Sequence, residues 1–502
     1  MKKTVWIGLV LGLWAAMAGP VNADGTAPVN LEIHPGAELA PQKQAWEQSV
    51  GGEMAARPLL KARLAGWPRV LRAEPPAPDT DTRTFLLKIA ADTWRGLDAF
   101  TDLAHGLPLD RVEFENGGIA PETTRIGDYT SVTNIGFHFL AVASAHELKL
   151  IDREQALTRL KATLASLERM ESHRGFFFNY YNTTTLERTS DFISFVDSSW
   201  LTAGLMVARQ AFPELAERCS RLIGPGDYGF FYDEKYRLMS HGYHVPLRTR
   251  SDYHYGVFYA ESRLGSLIAI AQGAVPEAHW FAMSRTFPPE IHWQTRPPLG
   301  RTEYNVNGFR WTGGHYHWRG QDYVPSWGGS LFEALMPRLV LDESQYAPAS
   351  LGRNGDIHTA IHRQYAQEEL GFPVWGMSPS SNPANGRYEE YGVKPLGIAG
   401  YKSGVVTPHA AALALLAEPE AAAANLRKLA ALYPIYGDFG FYDAVDPQGG
   451  AVAYHYLCLN QAMILVALAD TLADHAIQKL FAADAGVKKV LPLLGIERFA
   501  GQ

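Results

Sequence analysis

Residues 152–170, DREQALTRLKATLASLERM, carry the pattern that decides the fold class. Their leucines recur at intervals of three or four residues, at Leu157, Leu160, Leu164 and Leu167. This spacing places the four side chains on one face of an α-helix. Asp152 stands just before the first turn, where a carboxylate can accept hydrogen bonds from free backbone N–H groups. The stretch therefore predicts an amphipathic helix that begins after Asp152.

The same helical periodicity recurs along most of the chain and predicts eleven or twelve helices. The other segments are 84–104, 131–150, 198–212, 253–273, 276–286, 329–341, 356–370, 408–417, 419–432, 456–473 and 476–483. Between them lie loops that combine glycine turns with aromatic residues, a pattern typical of short hairpins. These loops are 173–185, 227–244, 307–320, 371–381 and 436–450. Paired helices with aromatic loops at one end predict an all-α toroid with a cleft, and an open solenoid is the alternative.

Composition and local patterns divide the chain of 502 residues into three parts. A hydrophobic content of 47% and a charged content of 19% are typical of a globular protein. Residues 1–23 have two early lysines, a short apolar run and small residues before Asp24, which predicts a secretory signal peptide; an uncleaved membrane anchor is the alternative. Residues 24–84, rich in proline and alanine, are predicted to be an extension and linker, and 85–502 the main domain. We therefore expect a periplasmic or secreted protein.

Several partner and cofactor classes are not indicated by the sequence. The net charge is −7, without runs of lysine and arginine, so nucleic acid is not an expected partner. No later apolar stretch is long enough to predict a membrane span. The cysteines, Cys219 and Cys458, could form a disulfide or remain buried thiols, and no spacing predicts a zinc site. Motifs of serine hydrolases, nucleotide-binding loops and metalloproteases are also missing, so no cofactor or metal is predicted.

One carboxylate stands out in the apolar segment YHYGVFYAESRLGSLIAIAQG, residues 253–273. Glu261 lies four residues after Val257, three before Leu264 and seven before Ile268, a spacing that predicts one shared helix face. An unpaired carboxylate on such a face would lose its hydration. Glu261 is therefore expected to be paired, protonated or turned toward a wet cavity.

Aromatic residues cluster with acids in the middle of the chain, within glycine-rich loops. Flat rings can stack on the C–H faces of sugars, and carboxylates can bind hydroxyl groups and transfer protons. For any single ring, packing in the core is the simpler explanation. The whole set predicts a carbohydrate groove. Its members include Tyr253, Tyr255, Tyr259, Trp311, Tyr316, Trp318, Tyr323, Trp327, Trp375, Tyr388 and Tyr391, among Glu261, Asp322, Glu333, Glu389 and Glu390.

Five blocks of the sequence resemble, in the same order, the glycoamylase-like domain. They are 128–151, 174–205, 253–281, 326–337 and 372–397, and the similarity extends over roughly residues 85 to 497. That group includes the endo-β-1,2-glucanases and the transglycosylase domain of cyclic β-1,2-glucan synthases. The resemblance implies an (α/α)6 barrel and a substrate that is β-1,2-glucan or a similar glucan.

The resemblance also assigns a role to Glu261. The block YAESR, 259–263, aligns with the family block that carries the general acid, and its glutamate is Glu261. A carboxyl that is partly desolvated beside a sugar groove would have a raised pKa and keep a proton to donate. The alternative is a structural glutamate bonded to Arg263 or to a tyrosine.

At the second carboxylate the sequence departs from the family. The related synthases carry a nucleophilic glutamate in a WGISES block, whereas residues 375–381 read WGMSPSS, with Pro379 at that position. This difference disfavours a retaining mechanism and favours an inverting hydrolase, which needs a general base. Glu390 is the first candidate for that base and Glu389 the second. Asp197 is a third candidate, and it could instead be a helix N-cap or a ligand of a sugar hydroxyl.

The expected substrate contacts complete the prediction. Arg263 and Glu333 are candidates for polar contacts. The candidate stacking residues are Tyr255, Trp311, Trp318, Trp327, Trp375 and Tyr388. The sequence thus predicts an exported glycoside hydrolase acting on β-1,2-glucan. A transglycosylase on the same glucan and a non-catalytic glucan-binding protein are the alternatives.

Overall fold

A computed structural model describes residues 75–77, 79–102, 104–114, 124–288, 293–398 and 401–499. The predicted signal peptide, 1–23, lies outside these residues, as does the predicted extension up to residue 74. Within the described ranges, no helix combines the length and the apolar composition needed to cross a membrane.

Helices dominate the described chain. They are α1 Thr82–Ala99, α2 Val132–Glu147, α3 Arg153–Leu167, α4 Phe195–Ala211, α5 Ala216–Ile223, α6 Arg263–Ala271, α7 Ala278–Ala282, α8 Leu331–Leu335, α9 Glu343–Tyr346, α10 Arg353–Gln364, α11 Pro408–Leu413, α12 Pro419–Leu432, α13 Cys458–Leu472, α14 Ala476–Ala482 and α15 Ala485–Leu494. Every predicted helical segment contains a helix. The helices α5, α9 and α15 were not predicted; α5 and α9 are short, and α15 contains Pro492.

Short antiparallel strands occupy the loops between helices, in sheets of two or three strands. They are β1 Arg111–Glu113, β2 Arg125–Gly127, β3 Tyr129–Ser131, β4 Ser172–His173, β5 Phe176–Phe177, β6 Tyr180–Asn182, β7 Phe192–Ser194, β8 Tyr232–Asp233, β9 Leu238–Ser240, β10 Gly242–His244, β11 Thr249–Arg250, β12 His254–Tyr255, β13 Glu303–Val306, β14 Phe309–Thr312, β15 Tyr316–Trp318, β16 Gln321–Tyr323, β17 Ser380–Ser381, β18 Tyr388–Glu389, β19 Tyr436–Gly437, β20 Gly440–Phe441, β21 Ala444–Val445, β22 Val452–Ala453 and β23 His455–Leu457. All five aromatic loops contain strands. The fold is therefore helical with hairpin loops, and a purely helical description is too simple.

The first quoted stretch folds as predicted. Helix α3 starts directly after Asp152, whose side chain accepts a hydrogen bond from the backbone N–H of Gln155 at 2.8 Å. The Gln155 side chain returns a bond to the backbone N–H of Asp152, which completes a capping box. Leu160, Leu164 and Leu167 are buried, as the spacing indicates.

Six helices form a closed ring of neighbours. In chain order, α2 packs on α4, α4 on α6, α8 on α11, α11 on α13, and α13 on α2. Helices α6 and α8 are joined by hydrogen bonds from Arg263 to the carbonyl oxygens of Glu333 and Ala334. A second layer of six helices packs outside, each against one ring helix: α1 on α13, α3 on α2, α5 on α4, α15 on α6, α10 on α8 and α12 on α11. This closure makes a helical barrel and excludes the open solenoid.

Helices α2 and α4 cross so closely that their contact requires glycine. A Cβ atom on Gly204 would lie 2.3 Å from the carbonyl oxygen of Gly136, and one on Gly136 would lie 2.4 Å from that of Trp200. Real Cβ atoms do not approach backbone so closely, so any side chain here would push the two helices apart.

We expect Gly204→Ala to destabilise the barrel by about 1–3 kcal/mol, because the added methyl group overpacks this crossing. Chemical denaturation of the variant and the parent measures the difference. Gly495→Ala is the control, since its Cβ would find only ordinary contacts at 3.5 Å, and its effect should stay within about 0.5 kcal/mol. An equal effect of both substitutions would contradict this account of the crossing.

The segment around Glu261 differs from its prediction. Helix α6 begins only at Arg263, and Glu261 lies in the turn before it, not on a helix face. His254 and Tyr255 form β12, which pairs with β9, and the backbone N–H of Phe258 bonds to the carbonyl oxygen of Ser284. The backbone groups of residues 254–258 are thus engaged by neighbouring chain segments, which overrides the helical spacing of the apolar side chains.

Both cysteines are buried and free in the structure. Burial raises the pKa of the Cys219 thiol to about 11 and raises that of Cys458 as well. These thiols are therefore protonated and serve as small apolar core residues. The option of buried thiols is the one that the structure adopts.

Candidate active site

Acidic side chains collect at the N-terminal ends of the ring helices. Asp197 lies in the first turn of α4, Glu261 two residues before α6, and Glu333 in the first turn of α8. Asp110 and Asp443 accept hydrogen bonds from Asn134 and Asn460, in the first turns of α2 and α13. Together with Glu390 these residues are called the acid cluster below: Asp110, Asp197, Glu261, Glu333, Glu390 and Asp443. Helix N-termini carry partial positive charge, so the barrel presents a favourable end for carboxylates.

Glu261 is a buried carboxyl that forms no salt bridge among the described residues. Its side chain is 3% exposed, and its Oε2 atom has no hydrogen-bond partner within the described chain. Burial raises the pKa of this carboxyl to about 8, and the negative charge of Glu333 adds to the effect. Glu261 therefore keeps its proton at neutral pH, one of the three states that the sequence allows for it.

Glu333 is fully buried, and its carboxylate is engaged by the protein itself. It accepts hydrogen bonds from the Ser326 hydroxyl at 2.8 Å, from the backbone N–H of Gly328 at 2.8 Å and from that of Ser330 at 3.2 Å. The bond to Ser330 is half of a capping box at the start of α8. These bonds engage Glu333 within the protein, and its direct contact with a sugar hydroxyl stays a prediction. Burial raises the pKa of the Glu333 carboxyl as well, and the charge of its ionised form raises the pKa of Glu261 and of Glu390.

Asp197 is buried in the same region. Its Oδ1 atom accepts a hydrogen bond from the Thr133 hydroxyl at 2.5 Å, while Oδ2 has no partner among the described residues. Burial raises the pKa of this carboxyl. The N-cap of α4 is Ser194, whose hydroxyl accepts a hydrogen bond from the backbone N–H of Asp197. The alternative that Asp197 is itself the N-cap is thus wrong, and the structure leaves it one free carboxyl oxygen.

Glu390 stands across a hairpin from Pro379. Strand β17 pairs with β18 in the register Ser380 with Glu389 and Ser381 with Tyr388. Extending this register by one residue places Pro379 opposite Glu390. Burial raises the pKa of the Glu390 carboxyl to about 7, against a hydrogen bond from Tyr401 that lowers it.

Glu389 differs from Glu390 in its surroundings and in its pKa. Partial burial would raise its pKa, but hydrogen bonds from Lys402, Asn382, Asn385 and Tyr391 outweigh burial and hold it at about 2. The ammonium group of Lys402 lies 2.8 Å from one carboxylate oxygen. Glu389 is therefore a permanently ionised partner of Lys402. Because successive side chains along a strand alternate in direction, the two adjacent glutamates lie in different surroundings. The sequence alone could not show which of them belongs to the acid cluster.

Arg263 is part of the framework and does not face a sugar. Its guanidinium is fully buried, and all five N–H groups donate hydrogen bonds to protein atoms. It also does not bond the Glu261 carboxyl, contrary to the structural alternative for that residue. Both expected roles of Arg263 are corrected by this geometry.

The predicted stacking residues fall into three groups. Tyr255 and Tyr388 adjoin the acid cluster: burial raises the pKa of both, and Glu261 and Glu390 respectively add to it. Trp318 lies away from the cluster and lines the large cavity described next.

The other three tryptophans pack within the protein. Trp311 contacts Phe281 and Tyr304, with ring centroids at 5.1 and 5.3 Å. Trp327 packs against Trp293 at 5.0 Å, and Trp375 is buried with its backbone bonded to Asn425. These three rings are buried within the protein, and a stacking role for them stays a prediction.

A cavity of about 1150 Å³ lies beside the acid cluster. Its lining includes Trp318, Tyr365, Glu389, Tyr391, Tyr401 and Lys402. Glu261 does not line it. Tyr401 lies between the two regions: its ring lines the cavity, while the charges of Glu390, Glu333 and Glu261 act on its buried hydroxyl. The volume slightly exceeds the usual range for small-molecule sites and suits an extended ligand.

Three residues near the site were missed by sequence reasoning. Asp110 is half-buried and Asp443 is buried, and desolvation raises the pKa of both carboxyls. Tyr401 packs on the backbone of Gly328, where a Cβ would lie 2.2 Å from the ring. Asp443 had a signal, because it stands in the aromatic loop 436–450 shortly before a ring helix. Asp110 and Tyr401 had none, since only the fold brings them to the cluster.

Comparisons with known proteins agree with this architecture. Residues 296–485 match the family model "Glycoamylase: Putative glucoamylase". The chain is 25% identical to "Cyclic beta-(1,2)-glucan synthase NdvB" of Rhizobium meliloti (strain 1021), across 81% of this chain and 18% of that protein. It thus spans less than a fifth of the length of that curated relative.

Solved structures share the fold at lower identity. An endo-β-1,2-glucanase from Chitinophaga pinensis, in complex with sophorotriose and glucose, is 19% identical with a TM-score of 0.64, covering 83% of this chain and 98% of that one. A β-1,2-glucanase from Parabacteroides distasonis is 17% identical with a TM-score of 0.65, covering 83% and 60%. The resemblance indicated by the sequence is confirmed: this chain matches the glucoamylase family model over residues 296–485 and is similar to a cyclic β-1,2-glucan synthase and to endo-β-1,2-glucanases.

Proposed function

We propose that this protein is an exported glycoside hydrolase that cleaves β-1,2-glucan by an inverting acid/base mechanism on an (α/α)6 barrel. The observation that carries the proposal is the pair of protonatable carboxyls, Glu261 and Glu390, both within reach of the charge of Glu333 at one end of the barrel. Two carboxyls with shifted pKa values at one site are typical of glycosidases. The signal-peptide pattern of residues 1–23 supports action in the periplasm or outside the cell.

In the proposed reaction, Glu261 donates its proton to the glycosidic oxygen of the departing sugar. Glu390 takes a proton from a water molecule, whose oxygen attacks the anomeric carbon as the C–O bond breaks. One water is consumed, and the two carboxyls regain their starting states by proton exchange with solvent. Pro379 offers no nucleophile, so a covalent glycosyl intermediate at that position is not part of the proposal.

The glucan would occupy the large cavity and pass Tyr401 to reach the two carboxyls. Tyr255 and Tyr388 would flank the scissile bond, and Trp318 would bind a sugar unit further along the glucan. The similarity to β-1,2-glucanases, one of them in complex with sophorotriose, supports a β-1,2-linked glucan as the substrate class.

The test is a substrate panel. Purified protein is incubated with linear β-1,2-glucan and, separately, with β-1,3-, β-1,4- and β-1,6-glucans, and new reducing ends are measured. We expect cleavage of the β-1,2-linked polymer. Cleavage of another glucan with the β-1,2-glucan left intact would overturn the substrate assignment. Tight binding without cleavage would favour the glucan-binding alternative.

The pH dependence of kcat/KM provides a second prediction. The base must be ionised and the acid protonated, so activity should rise as Glu390 loses its proton near pH 7 and fall as Glu261 loses its proton near pH 8. A narrow bell centred between these values is expected in the parent enzyme. A profile that is flat across this range would contradict the assignment of both roles.

A second candidate function is transglycosylation of the same glucan. It is favoured by the similarity to a cyclic β-1,2-glucan synthase. NMR of the first products separates the two candidates, because inversion at the anomeric carbon excludes the double displacement that a retaining transglycosylase uses. Initial retention together with longer or cyclic products would favour transglycosylation.

A further inference from the structure

Arg263 is the central donor of a buried hydrogen-bond network next to the acid cluster. Its Nε and Nη2 atoms bind the two oxygens of Glu343 at 2.7 and 3.0 Å, and both side chains are 0% exposed. Its remaining donors reach three backbone carbonyl oxygens: Ala260 at 3.0 Å, Glu333 at 3.0 Å and Ala334 at 2.7 Å. No N–H group is left over.

The three carbonyls belong to the two segments that carry acids of the cluster. Ala260 directly precedes Glu261, while Glu333 and Ala334 belong to α8. The turn that carries Glu261 precedes α6 and is joined to its first residues by backbone hydrogen bonds, from Arg263 to Ala260 and from Leu264 to Glu261. The guanidinium thus clamps the Glu261 turn to α8 in one geometry, and a planar fork of five fixed donors is suited to this task in a way that a lysine is not.

We propose that Arg263, held in place by Glu343, is the positioning residue that fixes Glu261 relative to Glu333. This inference rests on the proposed function for its kinetic test and deepens it, because it names the group that holds the acid in register. Arg263 touches no substrate and acts only through the two segments it joins.

The pair also sets the charge around Glu261. The groups whose charges act on the Glu261 carboxyl are Glu333 and Asp197, which raise its pKa, and Arg263, which lowers it; the neutral hydroxyls of Tyr255 and Tyr401 also adjoin it. Glu343 compensates the charge of Arg263 and also lies 4.0 Å from the guanidinium of the buried Arg338, which has Asp356 as a further partner. Removing the Glu343 charge alone leaves the guanidinium to act unopposed on Glu261.

The first experiment separates anchoring from charge. The double variant Arg263→Met with Glu343→Leu replaces the ion pair by apolar side chains, an exchange that buried pairs often tolerate. We expect kcat on β-1,2-glucan to fall about 10²-fold with little change in KM, because small misplacement of a catalytic group has effects of this size. Arg263→Lys, which keeps the charge and loses the fork, should show the same loss of kcat.

The chain offers a matched control in Arg285 and Glu497. This pair is also buried, with exposures of 0% and 4%, and Arg285 likewise bonds carbonyl oxygens, those of Met283, Trp280 and Phe281. None of those residues belongs to the acid cluster, although the Arg285 guanidinium also lies over the ring of Phe258, 3.8 Å from its centroid. Because Arg285 bonds no carbonyl of the Glu261 turn or of α8, Arg285→Met with Glu497→Leu should lower kcat far less than the Arg263 double variant. Equal kcat in the two double variants, whether retained or lost, would overturn the positioning role. If either double variant fails to fold, Arg263→Lys against Arg285→Lys decides by the same criterion.

A readout that does not need turnover keeps this inference separate from the proposed function. The pKa of the Glu261 carboxyl is measured by carbon-13 NMR of glutamate-labelled protein, with Glu261→Gln used to assign the signal. In Glu343→Gln the pKa should be lower than in the parent, because the uncompensated guanidinium favours the anion. An unchanged pKa would overturn the inference. A parent protein that cleaves no glucan, but shows the lowered pKa in Glu343→Gln, would refute the proposed function alone.

Discussion

Replacing Glu261 by glutamine should reduce kcat on β-1,2-glucan by about 10²- to 10⁴-fold, the contribution typical of general acid catalysis. The amide keeps the size of the side chain and removes the proton that would go to the departing sugar. Because the carboxyl is buried and protonated at neutral pH, the substitution exchanges one neutral group for another and should not destabilise the protein. Steady-state kinetics together with a denaturation curve measure both effects.

Two further observations make the Glu261 prediction specific. The Glu261→Gln variant should still bind linear β-1,2-glucan with the affinity of the parent, and its residual activity should lose the decline near pH 8 that we assign to this carboxyl. Unchanged kcat would remove Glu261 from the mechanism. Loss of binding along with kcat would point to a structural or ligand-holding role instead.

The second large effect is expected at Glu390. Glu390→Gln removes the proposed base, and kcat should fall by about 10²- to 10⁴-fold, with loss of the rise in activity near pH 7. The pH profile of the variant therefore distinguishes it from Glu261→Gln, which loses the opposite limb.

Glu389, the neighbour of Glu390, provides the control. Glu389→Gln removes a carboxylate one residue away that is ionised and paired with Lys402 on the cavity wall. We expect this change to alter KM by a small factor and to leave kcat nearly intact, since Glu389 is bonded to Lys402 and lies outside the acid cluster. If Glu389→Gln were the damaging substitution and Glu390→Gln the harmless one, the hairpin would have to present its glutamates the other way around. If both were harmless, Asp197 or Asp443 would become the leading candidate for the base.

The architecture was accessible from the sequence because the barrel is built of local signals. Periodic apolar residues predicted the helical segments, and Asp152 predicted the start of α3 to the residue. Around Glu261 the same reasoning failed. The apolar spacing from Val257 to Ile268 is helical, yet pairing of β12 with β9 and of Phe258 with Ser284 holds the first half extended. Pairing with segments that are distant in the sequence cannot be recognised from the local spacing of apolar residues.

At the candidate site, the sequence predicted only those roles that follow from the residue type and from the resemblance to known proteins. Glu261 and Glu390 could be named, and the structure gives both the raised pKa values that their proposed roles need. The roles of Arg263 and Glu333 could not be foreseen. An arginine and a glutamate beside a predicted groove suit sugar binding equally well, and only the fold reveals that their polar atoms are taken up by Glu343, by backbone carbonyls and by the Ser326–Ser330 loop.

Direct titration of the Glu261 carboxyl tests the central claim. Difference infrared spectroscopy between the parent and Glu261→Gln isolates the stretching band of this protonated carboxyl and follows it with pH. The account predicts that the band persists at neutral pH and is half lost near pH 8. A band already lost near the ordinary value of 4.5 would mean that Glu261 is an anion under working conditions and cannot be the general acid.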